Sequence, residues 1–263
     1  MALLHVDFFS EILEKSMNMD VILPQNTTNQ IGMKGNAGSG KYKTVYLLHG
    51  MSDDQTTWQR RTSIERYVSE YGIAVVMPNA DLGFYTNTAY GLPYWTFFSE
   101  ELPKICREFF PQMSEKREDT LAAGLSMGGY GAWKLGLGVP ETFGAAASLS
   151  GVLDVARRVR EEYAKAGRKP AGFWEGIFGD LDKIEGSEND LKYLAGRLKE
   201  ENRPVPRLYA WCGTEDFLYQ NNLDMWEEMK RLGYSVVTAS SEGDHQWKYW
   251  DQQIQAVLEW WLK

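Results

Sequence analysis

A serine stands among glycines at Gly124-Leu125-Ser126-Met127-Gly128-Gly129, after the apolar Thr120-Leu121-Ala122-Ala123 and before Tyr130-Gly131-Ala132-Trp133-Lys134-Leu135. The order reads as strand, sharp turn and helix, with a hydroxyl at the tip of the turn: a nucleophile elbow. Its flanking positions must be small, because strand and helix approach closely there and the serine backbone is strained. The turn exposes the Ser126 hydroxyl and sets the N–H of Met127 at a helix N-terminus, where negative charge is favoured. Glycine is frequent, at 25 of 263 residues, so a G-x-S-x-G string arises by chance in roughly one such chain in ten. The chemistry therefore needs partners: an oxyanion loop upstream, then an acid and a histidine downstream in that order.

A serine hydroxyl is a poor nucleophile until a base takes its proton. The chain has three histidines: His5, His49 and His245. His5 precedes the core of any such fold. His49 ends an apolar run, Thr44-Val45-Tyr46-Leu47-Leu48, where an oxyanion loop begins. His245 lies in Glu242-Gly243-Asp244-His245-Gln246-Trp247, between the last expected strand and the last expected helix. By elimination and chain order, His245 is the expected base. The acid should follow the preceding strand, Arg207-Leu208-Tyr209-Ala210-Trp211. Asp216 is the first choice there, to hold the imidazole in the right tautomer. Glu215 is its main competitor, and Asp244 and Asp154 are further alternatives. Backbone N–H groups of Met51 and Met127 are the expected oxyanion donors. This chemistry calls for no cofactor and no metal.

The elements that must position these groups alternate. Strands are expected at 19–23, 44–48, 73–77, 120–123, 145–150, 207–211 and 235–238. Helical patterns lie at 62–70, 93–110, 126–137, 221–232 and 246–262. Strand–helix alternation predicts an α/β fold, a mostly parallel sheet covered on both faces, with an antiparallel hairpin at the early edge. Residues 152–203 depart from the alternation. They read either as a cap insertion at the carboxyl ends of the strands, where sites in such sheets lie, or as a surface excursion packed on the body. Gly35-Asn36-Ala37-Gly38-Ser39-Gly40-Lys41 imitates a phosphate loop, but Tyr42 replaces the metal-binding hydroxyl and a strand follows where a helix is required.

A length of 263 residues with 43% hydrophobic content suits one domain, 1–263. The net charge of −8 disfavours a nucleic-acid surface. Two cysteines, Cys106 and Cys212, in apolar surroundings suit buried free thiols and a reducing compartment. No apolar run has the length of a membrane span, and the N-terminus carries acids rather than a basic signal region, so a cytoplasmic location is expected. Tyr85, Tyr94, Trp95, Phe173, Trp174 and Trp247 are candidates for a substrate wall, Trp247 foremost because it lies two residues after His245.

Four stretches carry a resemblance: Val45 to Asp54, Ala122 to Gly131, Trp211 to Tyr219 and Gly243 to Trp247. Together they resemble the esterase family that includes esterase D, the S-formylglutathione hydrolases and the bacterial tributyrin esterases, the last most of all. The resemblance implies an α/β-hydrolase fold and a serine carboxylesterase acting on short acyl esters. By position it makes Ser126, Asp216 and His245 the triad and Met51 and Met127 the oxyanion donors. It also implies a homo-oligomer, and a small-molecule or carbohydrate ester as substrate, with deacetylation of sugars as one form. A thioesterase of the S-formylglutathione type and a feruloyl esterase are the alternatives, with a non-catalytic binding module behind them.

Overall fold

The computed structural model describes residues 1–164, 169–170 and 172–263. Eight strands form one sheet in the order β1-β2-β4-β3-β5-β6-β7-β8. They are β1 (Ala2–Ser10), β2 (Lys15–Leu23), β3 (Thr44–Leu48), β4 (Ala74–Pro78), β5 (Thr120–Leu125), β6 (Ala145–Leu149), β7 (Arg207–Gly213) and β8 (Val236–Ser241). From β4 through β8 every pairing is parallel, while β1–β2 and β2–β4 are antiparallel. The helices are α1 (Thr57–Arg61), α2 (Ile64–Val68), α3 (Tyr94–Thr96), α4 (Leu102–Phe109), α5 (Met127–Gly138), α6 (Val155–Ala164), α7 (Phe173–Phe178), α8 (Leu191–Glu200), α9 (Tyr219–Arg231) and α10 (Trp247–Leu262). A π-helical turn, Phe97–Glu101, makes α3 and α4 one continuous run.

The sheet separates two cores. Along β3, Val45 and Leu47 face one side with Trp58 of α1, Ile64 and Val68 of α2, and Ile254 and Leu258 of α10. Tyr46 and Leu48 face the other, with Leu102 and Cys106 of α4, Tyr130 of α5 and Met229 of α9. A strand buried on both faces has no polar alternation, which is why β3, β4 and β5 read as unbroken apolar runs. The edge differs. In β1 the residues His5 and Asp7 interrupt the pattern, so this strand escapes a search for apolar runs. The hairpin edge is real, but it is made by β1 on β2, registered from Ala2 opposite Leu23 to Ser10 opposite Lys15. The helix expected at 62–70 is the shorter α2, and a further short helix, α1, precedes it across a break at Thr62-Ser63.

Residues 152–203 include both residues that line a cavity and a helix of the body. Helix α8 buries Leu191, Leu194, Ala195 and Leu198 and packs on α5 and α9, so it belongs to the helical layer of the body. The excursion proper ends before it. Cys106 and Cys212 are both buried and free. Among the described residues no helix is long and apolar enough to cross a membrane.

The junction of β3, β5 and α5 leaves no room for side chains. A Cβ on Gly128 would stand 2.3 Å from the Leu48 carbonyl oxygen, and one on Gly124 2.5 Å from the Gly128 carbonyl. Main-chain atoms cannot yield as a flexible side chain would. Gly128→Ala is therefore expected to destabilise the fold by about 1–3 kcal/mol, in the range of overpacked cores. A denaturant midpoint unchanged from the wild type would contradict this packing.

Candidate active site

Ser126 sits between β5 and α5 with φ 52° and ψ −117°. This positive φ is the strain expected of the elbow, and non-glycine residues hold it only where surroundings over-determine them. Here the Ser126 N–H donates to the Leu149 carbonyl at 2.9 Å, and the Ser126 carbonyl accepts from Val152 and Tyr130. The hydroxyl lies 3.0 Å from His245 Nε2. His245 Nδ1 lies 2.8 Å from Asp216 Oδ2. Asp216 follows β7 and its side chain is fully buried, while its other oxygen accepts from the Leu218 N–H at 2.9 Å. An ionised carboxylate only accepts, so Nδ1 carries the proton and Nε2 is left to accept from Ser126.

The structure brings Ser126, His245 and Asp216 into one hydrogen-bonded file and places the competing acids elsewhere. Glu215 accepts from the Gly243 N–H at 2.6 Å and from Thr214 Oγ1 at 2.8 Å. The first of these bonds holds its carboxyl below the usual range. It thus braces the loop that carries His245 without touching the ring. Asp154 caps α6 through the Arg157 N–H and pairs with Lys192 at 3.0 Å. Asp244 accepts from Gln246 at 2.5 Å.

The strand-end loop after β3 is held by its own carbonyls. Leu48 O accepts from Trp58 Nε1 at 2.9 Å, His49 O from the Tyr85 hydroxyl at 2.8 Å, and Gly50 O lies 2.7 Å from His49 Nδ1. His49 Nε2 accepts from the Ala80 N–H at 2.9 Å. Burial pushes the His49 pKa down, so the ring is neutral and can accept at Nε2 while donating at Nδ1. Three successive carbonyls are thereby fixed, and with them the peptide that leads into Met51. Met51 and Met127 both line a cavity of about 370 Å³ with Ser126 and His245. Met127 opens α5, where a helix leaves its N–H groups without partners one turn back.

The rest of that lining is Phe84, Val152, Arg158, Glu162, Lys169, Trp174, Phe217 and Leu218. Of the expected aromatic wall only Trp174 belongs to it. Tyr85 is fully buried and serves the His49 carbonyl. Tyr94 is buried and hydrogen-bonds Asp81. Trp95 covers Gly138 on α5, with its ring 4.9 Å from Lys134 Nζ. Phe173 packs edge-on against Trp174 and does not belong to the cavity lining. Trp247 packs on Trp58 and Trp250 in the core opposite α5, with Arg61 stacked over it. The correction for Trp247 has a plain cause. A residue's distance along the chain from His245 says nothing about which face of α10 it occupies, and Trp247 and His245 diverge there. The rings that touch His245 are Phe217, centroids 4.5 Å apart, and Trp250, 4.8 Å. Phe217 adjoins Asp216 in sequence, and that adjacency was the available signal. Arg158, Glu162 and Lys169 come from the excursion and carried none.

A family model described as "Putative esterase" matches residues 10–261. The chain belongs to this esterase family. It is 33% identical over 100% of its length to an acetyl esterase of Caldicellulosiruptor saccharolyticus, of which it covers 99%. It superposes on the Staphylococcus aureus fluorophosphonate-binding serine hydrolase FphF with a TM-score of 0.87 and 35% identity, covering 100% of this chain and 98% of that one. It superposes on an S-formylglutathione hydrolase, FrmB, from the same organism with a TM-score of 0.84 and 34% identity, covering 100% and 99%. The fold is that of the α/β-hydrolases, and the chain is a serine esterase.

One buried cation supports the site from behind. Lys134 of α5 is fully buried and donates to Thr86 Oγ1 at 2.9 Å and Asn189 Oδ1 at 2.7 Å. It ties the elbow helix to the loop that carries Phe84 and Tyr85. Burial lowers its pKa from the ordinary 10.5 to about 7, against the pull of Glu188. Between those values the unfolded chain holds a proton that the folded chain lacks, so this residue's contribution to stability rises with pH. The stability of wild type relative to Lys134→Met should therefore rise by up to about 1.4 kcal/mol per pH unit from pH 7 to 10. Unfolding curves of the two proteins at several pH values in that window test it, and a constant difference would refute it.

Proposed function

We propose that this enzyme hydrolyses esters of short carboxylic acids, acetyl to butyryl, through an acyl-enzyme on Ser126. The observation that carries the reading is the hydrogen-bonded file from Asp216 through His245 to Ser126, opening on a cavity lined by Met51 and Met127. His245 takes the Ser126 proton as the oxygen attacks the ester carbonyl. The tetrahedral oxyanion is received by the N–H groups of Met51 and Met127, and loss of one such donor typically costs about 10²–10³ in rate. His245 then passes its proton to the departing alcohol. Water then attacks the acyl carbonyl while giving a proton to the same nitrogen, and that proton returns to the Ser126 oxygen as the acid departs. Asp216 holds the imidazole and balances its transient charge.

The acyl range is supported by likeness to an acetyl esterase, and acetylated sugars are the natural esters to try first. Likeness to an S-formylglutathione hydrolase supports a second reading, a thioesterase, since the same file cleaves either bond. A silent binding module has no use for a complete file. Two buried free thiols are in keeping with a cytoplasmic enzyme.

Hydrolysis of a p-nitrophenyl acyl series from acetate to octanoate tests the proposal. Turnover should fade beyond butyrate and be absent in Ser126→Ala, whose unfolding curve should stay close to that of wild type. A folded wild type inert to every member would reject the reading. Asp216→Asn should cost about 10⁴ in kcat by spoiling the imidazole tautomer, while Glu215→Gln should retain most activity. The reverse order would move the acid to Glu215.

A further inference from the structure

The cavity beside Ser126 carries charge on one part of its wall. Arg158 and Glu162 are joined at 2.5 Å, and Arg158 also reaches Glu161 at 3.7 Å. The Arg158 guanidinium lies 4.8 Å from the Phe217 ring, the ring that touches His245. Lys169 is different. It lines the same cavity, yet among the described residues no carboxylate pairs with it. Its Nζ stands 3.3 Å from Met51 Sδ and 4.6 Å from the centre of the Phe173 ring. A thioether is a weak acceptor and a ring face offers only its quadrupole, so neither replaces the hydration of an ammonium with its three donors. The remaining lining is apolar: Phe84, Val152, Trp174 and Leu218. In a chain of net charge −8 the ordinary fate of a lysine is an acidic neighbour.

We propose that Lys169 is a specificity residue that selects esters carrying a carboxylate, on either the acyl or the alcohol portion. The proposal rests on the esterase reading of Ser126. An anion entering this cavity meets an ammonium already partly withdrawn from water, and it completes a charge-assisted hydrogen bond that no carboxylate among the described residues makes. A neutral ester of the same shape gains nothing from Lys169. The preference therefore resides in binding and appears mainly in KM. The rival role for a cation 3.3 Å from the Met51 side chain is to stabilise the oxyanion. That role would help neutral and anionic esters alike and would appear in kcat.

Two substrate pairs separate these roles. One is 4-acetoxybenzoate against its methyl ester, with the carboxylate on the alcohol. The other is monoethyl succinate against ethyl butyrate, with the carboxylate on the acyl group. Wild type should prefer the anionic member of at least one pair, and which pair responds locates the carboxylate. In Lys169→Gln, kcat/KM for that member should fall about tenfold, the worth of one charge-assisted bond, while its neutral partner changes less than twofold. Lys169→Arg should keep the preference, and added salt should erode it. Equal losses on both members, or no loss on either, would overturn the proposal. So would a wild type that hydrolyses the neutral esters through Ser126 without any preference, and that result leaves the esterase reading standing. Failure to hydrolyse any of the four esters would remove both.

Discussion

The approach of α5 to the end of β3 governs the rest of this structure. The Gly128 backbone lies so near the Leu48 carbonyl that no side chain fits between them. This contact sets where the helix begins, hence where Met127 and the strained Ser126 stand. It also sets where the β3 loop leaves the sheet. The loop is then fixed by donors to three carbonyls in a row: the Trp58 indole, the Tyr85 hydroxyl and the His49 ring. Preorganised N–H groups stabilise a developing oxyanion because they need no rearrangement when charge appears. Here the rigidity is obtained from hydrogen bonds to the opposite ends of neighbouring peptides, since a peptide whose carbonyl is fixed also has its N–H fixed.

His49 shows how a histidine beside a site serves without reacting. Burial keeps it neutral, and a neutral imidazole both donates and accepts. It uses the two nitrogens to join Gly50 to Ala80, and thus the β3 loop to the β4 loop. A protonated ring could not accept from Ala80. His245 occupies the contrary setting, partly exposed to the cavity, with one nitrogen committed to Asp216 and the other facing Ser126. Identical side chains are assigned opposite tasks by burial and by partners.

Much of this was legible in the sequence because the chain order of an elbow, an acid loop and a histidine loop follows from a parallel sheet. Each group sits at the carboxyl end of a buried strand, and buried strands announce themselves as apolar runs. The grouping of Ser126, Asp216 and His245 was legible this way, as was the cavity position of Met51 and Met127. The edge strand β1 was missed because only one side of it is buried and His5 and Asp7 break its pattern. The aromatic wall was misread for a different reason. Tyr85 and Trp58 bring a hydroxyl and an indole N–H to buried carbonyls, and Trp247 backs Trp250 behind His245. Composition counts such residues without telling support from surface. Phe217 adjoins Asp216 after β7 and was within reach of the sequence, whereas Arg158 and Lys169 depend on how the segment between β6 and β7 folds back over the sheet, a long-range matter that local pattern does not encode.

That last point separates two mechanical parts of the molecule. The reacting groups stand on strand ends, tied by main-chain bonds that the sheet enforces. The charged part of the cavity stands on the excursion, which is held by apolar side chains such as Val159, Trp174 and Ile177 and, at its surface, by the ion pairs of Arg157 with Asp224 and Arg160 with Glu185. Exposed ion pairs of this kind contribute about 0–1 kcal/mol each and are easily exchanged, whereas the elbow admits not one extra carbon atom. Exchange of these surface pairs leaves the main-chain bonds at Ser126 in place, whereas any side chain added around Gly128 presses on the elbow itself. A fold arranged in this way can change its ester while keeping its chemistry, because selectivity and reactivity are supported by different bonds.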